Sequence, residues 1–102
     1  MTALELSNSA AGSISPPPNV STAVRALWFA RAGKWEVAHD LCQEIQGKEG
    51  SWIHAYLHRV EGDLSNARYW YARAEQPVPG SKVALEEEWL EIVTSLLESG
   101  RS

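Results

Sequence analysis

The residues best suited to chemistry in this chain are His54 and His58, four positions apart. If the segment is helical, they share one face. Glu61, three positions further on, falls within about 60° of both at roughly 100° per residue. Two imidazoles one turn apart can chelate zinc or another divalent transition metal, with a carboxylate as third ligand. His39, on the preceding predicted helix, adds a fourth group if the two helices are neighbours. The segment is not a zincin, because Ala55 stands where H-E-x-x-H requires its glutamate. The plain alternative is that both histidines are packed, hydrogen-bonded residues beside Trp70 and Tyr71.

Other reactive types offer less. His39 and Asp40 are adjacent, so on a helix they diverge by about 100° and cannot form a dyad. Glu61 and Asp63 flank Gly62, and Asp63 is well placed to cap the next helix. Cys42, the single cysteine, occupies a core position and is expected to be inert packing. There is no glycine-rich phosphate loop. Tyr69, Trp70 and Tyr71 interleave with Arg68 and Arg73, a set that can stack on bases. On a helix these residues point in all directions, however. The net charge of −4, from 9 basic and 13 acidic residues, also opposes a polyanionic partner. It opposes anionic membrane equally. Neither nucleic acid nor membrane is expected as a partner.

At 102 residues there is room for one domain. Five Trp, three Tyr and one Phe give it a rich core for its size. One cysteine excludes an intrachain disulfide and fits a reducing cytoplasm. No apolar run approaches the roughly 20 residues that span a bilayer, and no secretory signal is recognisable at the start. Residues 1–19 are small, polar and interrupted by Pro16, Pro17 and Pro18. They are expected to form a disordered Pro/Ser-rich arm.

Helical periodicity begins at Val20, and the folded domain is expected over 20–98. The class is all-α, with five helices. The first runs from a Ser21 cap to Ala32 and ends at Gly33. The second spans Trp35 to Gln46. Gly47–Gly50 is a turn by composition. The third runs from Ser51 to Glu61, the fourth from Asp63 or Ser65 to Glu75, and the fifth from Val83 to Glu98. Pro77, Pro79 and Gly80 force the loop before the fifth helix. Glu86, Glu87 and Glu88 suit that helix's N-terminal dipole.

The chain repeats itself. A shift of 29 residues aligns Ala26 with Ala55, Gly33 with Gly62, Ala38 with Ala67 and Cys42 with Tyr71. Small residues let antiparallel helices approach, and glycine makes the turn between them. Gly33-Lys34-Trp35-Glu36-Val37-Ala38 and Gly62-Asp63-Leu64-Ser65-Asn66-Ala67 both resemble the G-x-Φ-x-x-A heart of tetratricopeptide (TPR) repeats, Φ being a large apolar residue. The period is shorter than the TPR 34, and His54 and His58 stand where that pattern has large apolar residues. The run Trp52-Ile53-His54-Ala55-Tyr56-Leu57-His58-Arg59-Val60-Glu61-Gly62-Asp63 is also similar to a group of small uncharacterised microbial proteins. The resemblance implies two TPR-like antiparallel hairpins with the fifth helix as a cap.

It further implies a concave face for a protein partner, lined by Leu27, Arg31, Trp52, Tyr56 and Arg59. Aromatic and arginine side chains are the types that anchor interfaces. Two units are few for such an array, so the fifth helix or a second copy of the chain, as a homodimer, must cover the open end. The first expectation for function is therefore a non-enzymatic interaction module. The second is a metal-binding protein using His54, His58, Glu61 and His39. The third is an enzyme with a site at the same histidines, although no catalytic residue is identifiable.

Overall fold

The computed structural model describes residues 1–99. It is all-helical and contains six helices among these residues: α1 (Ala3–Gly12), α2 (Thr22–Arg31), α3 (Trp35–Cys42), α4 (Gly47–Glu61), α5 (Leu64–Ala74) and α6 (Leu85–Ser99). No helix among them is long and apolar enough to cross a membrane.

The first helix corrects the expectation of five helices and of a structureless arm. Thr2 and Glu5 form a reciprocal capping box, Glu5 N donating to Thr2 Oγ1 (3.2 Å) and Thr2 N to Glu5 Oε1 (2.9 Å). Ala3, Leu6, Ser7 and Ala10 then share one buried face. Leu6 is fully buried in the main core. Two hydrogen bonds bind the helix to α2: Trp28 Nε1 donates to Ser9 Oγ (3.2 Å) and Arg31 Nε to Ser7 Oγ (3.0 Å). Polar composition hid this helix because its serines serve as hydrogen-bond acceptors for α2 rather than as solvent-facing groups.

The hairpins α2–α3 and α4–α5 form where the repeat places them. Gly33 and Gly62 both adopt left-handed φ, +83° and +86°. Each closes its helix with paired carbonyl bonds. Asp63 N donates to His58 O (2.9 Å) and Gly62 N to Arg59 O (3.1 Å), and Lys34 N donates to Phe29 O (2.9 Å) in the first hairpin. Ala38 and Ala67 are buried at the helix contacts, and the short methyl permits close approach. Asp63 caps α5 as expected, accepting from Asn66 N (3.2 Å).

Two boundaries differ from the sequence reading. The second hairpin helix stops at Cys42, and residues 47–50 form the first turn of α4 rather than a loop. Gly50 is required there by close packing: a Cβ at this position would overlap the Ile45 backbone carbonyl. Its glycine therefore signals contact and not a turn.

The middle of α4 is buried on every side, Ile53 to Leu57 and then His58 without a break. It is the central helix, packed against α2, α3, α5 and α6. The last helix closes the open end. Trp89, Ile92 and Val93 are fully buried, and Trp89 Nε1 donates to Leu27 O (2.8 Å). Glu88 also turns inward and is 2% exposed. Its Oε1 accepts from Arg59 Nη1 (2.8 Å) and its Oε2 from Tyr71 Oη (2.5 Å), while Arg59 Nη2 donates to Val83 O. Burial and the neighbouring Glu88 push the hydroxyl of Tyr56 up to about 12, and raise that of Tyr71 as well.

Candidate metal centre

The central position of α4 explains why its two histidines are enclosed. His54 and His58 are 8% and 7% exposed, although imidazole is not a preferred core side chain. Helical spacing stacks their rings, with centroids 4.9 Å apart and planes at 20°. The third imidazole comes from α3. Ala38 is buried in the core, and the next residue, His39, reaches across to α4. His39 Nε2 lies 3.0 Å from His54 Nε2. Its ring stands nearly perpendicular to those of His54 (82°) and His58 (74°). The three residues each offer a ligand nitrogen, and those nitrogens all lie within 4.8 Å of one another.

Aromatic rings frame the cluster. Trp70 of α5 stacks on His54 at 3.9 Å and 13°. Trp35 of α3 stacks on His39 at 4.8 Å and 11°, and its edge meets His58. Trp35 is itself fixed, because its Nε1 donates to Leu57 O (2.7 Å). The histidines are thus packed against aromatic walls from two helices, α3 and α5.

Glu61 sits behind His58. His58 Nδ1 and Glu61 Oε1 are 2.6 Å apart. With Nδ1–H donating to the carboxylate, the lone pair of His58 is left on Nε2. This is the arrangement in which a carboxylate sets the tautomer and raises the basicity of a metal-binding histidine. Helical spacing suggests Glu61 as a third ligand; in the structure its carboxylate instead contacts His58 Nδ1. Asp63 lies close to the same pair but is exposed.

Electrostatics favour a neutral ring at His54. Burial, then the neighbouring His39 and His58, lower His54 from the ordinary 6.5 to about 4. A neutral imidazole is the form that ligates a metal. Cys42 is buried, and burial with the nearby Asp40 pushes its thiol up to about 12. The free thiol therefore stays protonated at neutral pH.

His54 alone of the three lines a cleft of about 580 Å³ between the start of α4 and the C-terminal half of α5. Gln43, Gln46, Lys48 and Arg73 supply polar groups to its wall, and Trp70 an aromatic surface. The guanidinium of Arg73 lies over Trp70 at 5.3 Å.

The residues expected to form a concave partner face lie elsewhere. Leu27 is fully buried and Tyr56 is 6% exposed. Arg59 is tied to Glu88 and Val83. Trp52 packs partly buried against the cores. Arg31 remains at the surface, paired with Glu86 (3.1 Å) and poised over Trp89. α1 and α6 cover this side of the hairpins, so Leu27 and Tyr56 are closed to a partner.

Trp35 is the residue beside the histidines that the sequence pattern leaves unassigned. Trp35 stands four residues before His39, a spacing that signals a shared face. The plain alternative of packed histidines does place Trp70 beside them, and the structure stacks it on His54. No protein-family model, curated protein or solved structure matches the chain.

Proposed function

We propose that this protein binds one divalent transition-metal ion of the zinc class through His39, His54 and His58, with Glu61 positioning His58. The observation that carries this reading is the convergence of three imidazoles from two helices, two of them buried and one half-buried, their ligand nitrogens within 4.8 Å of one another. Zinc–nitrogen bonds of about 2.0–2.1 Å in a tetrahedral site put neighbouring nitrogens roughly 3.3 Å apart. The His39–His54 separation of 3.0 Å is already close to that. A nitrogen-only donor set favours zinc, copper, nickel or cobalt over magnesium and calcium, which prefer oxygen. A simple packing role needs only the His39–His54 hydrogen bond. It leaves unexplained a third ring on the same point with a carboxylate behind it.

The scaffold for this site is a pair of TPR-like hairpins. The repeated left-handed Gly33 and Gly62 and the buried Ala38 and Ala67 support that arrangement. In this reading the repeat supplies rigidity for the site, and the covering of the hairpins by α1 and α6 favours it over a concave interaction surface.

Untagged apo-protein titrated with zinc tests the proposal. One equivalent should bind. Zinc held 100-fold above its Kd should stabilise the fold by about 2.7 kcal/mol, a rise in Tm of roughly 10 °C or more for a domain of this size. His54→Gln should abolish the rise while circular dichroism of the apo form stays helical. Glu61→Gln should weaken affinity about 10–100-fold. An unchanged Tm of the parent protein with zinc, copper, nickel and cobalt would reject the reading.

A further inference from the structure

We propose that the metal held by His39, His54 and His58 keeps one coordination position for a small oxyanion, a carboxylate or phosphate group, bound in the cleft beside His54. This inference rests on the metal reading above. Three protein nitrogens leave a tetrahedral ion one position short, and such an open position is what distinguishes reactive or ligand-binding zinc sites from closed structural ones. His54 is the one histidine of the three that lines the cleft, so a ligand entering there reaches the metal past it.

The cleft has the charge for an anion. The chain as a whole carries −4, yet no Asp or Glu lines this cleft among the described residues, while Lys48 and Arg73 both do. A neutral three-imidazole site leaves the metal's double positive charge uncompensated, which adds to those two cations. Arg73 is held in place: Nη1 donates to Tyr69 Oη (3.2 Å) and the guanidinium lies over Trp70. Guanidinium has five N–H donors in a planar fork suited to oxyanions, and only one goes to Tyr69. Lys48 is paired with Glu75 at 2.7 Å, but both side chains are about two-thirds exposed (64% and 68%). An ion pair of that kind is worth little in water, so its ammonium can turn to a bound anion. Trp70 connects the two ends of the site, stacked on His54 and covered by Arg73. The amides of Gln43 and Gln46 offer further hydrogen bonds.

The same lining speaks against hydrolysis. The cleft holds no carboxylate to take a proton from a metal-bound water, and the Nδ1 of His58 is occupied by Glu61. Binding of an anion, with displacement of a metal-bound water, is the chemistry this wall supports.

Cobalt(II)-loaded protein reads both steps. Formation of an intense tetrahedral d–d band reports the metal site itself. Inorganic phosphate and, separately, acetate are then titrated in at constant ionic strength. A saturable shift of the band with either anion is expected, and which anion gives it identifies the class. In Lys48→Gln/Arg73→Gln the band without anion should be unchanged and the anion affinity about tenfold weaker. A normal cobalt band that neither anion moves would overturn this proposal while leaving the metal reading intact. An anion response equally strong in the double variant would overturn the assignment to this cleft. Absence of the cobalt band would overturn both.

Discussion

His54 is the histidine of the cluster whose titration burial shifts clearly. Its neutral form is enforced by burial and by two flanking imidazoles. The consequence for stability has a definite sign. Above pH 6.5 the ring is neutral in folded and unfolded chains, and pH has no effect through it. Between 6.5 and about 4 the unfolded chain accepts a proton that the fold disfavours, so stability falls as pH drops. Below about 4 both states are protonated and this loss levels off. Denaturant midpoints of the metal-free protein should therefore decline across that window, and His54→Gln should flatten the decline. A parent protein with the same slope as the variant would show that His54 titrates normally. At this scale helical spacing groups His54, His58 and Glu61 on one face, while the approach of His39 depends on how α3 packs against α4. The 2.6 Å contact of Glu61 with the Nδ1 of His58 was not legible, because it depends on side-chain orientation that spacing does not set.

At the scale of elements, the repeat made four helices and both hairpin turns legible. It failed where composition and tertiary contact disagree. The Thr2–Glu5 capping box was present in the sequence, but the serines after it suggested disorder; they are acceptors for Trp28 and Arg31. This gives α1 a sharp test. Leu6→Ala should destabilise the protein by about 2–5 kcal/mol, as truncation of a fully buried leucine does. In a disordered arm the same change would leave the unfolding midpoint where it was. Gly50 misled in the opposite direction. A glycine pair read as a turn, whereas Gly50 lies within α4 because only a hydrogen fits against the Ile45 carbonyl.

For the whole molecule, two short hairpins cannot enclose a core by themselves, and the structure completes them with helices from both ends of the chain. α1 seals one side of α2. α6 inserts Trp89 beneath Leu27 and carries Glu88 into contact with Arg59 and Tyr71. The three consecutive glutamates of α6 look alike in sequence, and helix polarity predicts all of them at the surface. Only docking distinguishes Glu88. Its removal leaves the Arg59 guanidinium buried without its partner, so Glu88→Ala should cost about 3–5 kcal/mol. Glu86→Ala, at an exposed pair, should stay within about 0.5 kcal/mol. Equal effects of the two would mean that α6 does not dock in this register. The closed hairpins have a functional corollary. With Leu27 and Tyr56 inside, the cleft framed by Trp70, Arg73 and Lys48 is an accessible approach to His54.

X-ray absorption at the zinc edge, on untagged protein carrying one equivalent of zinc, addresses the three-histidine centre most directly. The expected spectrum has three imidazole nitrogens at about 2.0–2.1 Å, with the ring scattering of histidine. That signature should disappear in the His39→Gln/His54→Gln/His58→Gln variant. Zinc surrounded by oxygen alone, or an identical spectrum from the variant, would contradict the assignment of these histidines to a metal.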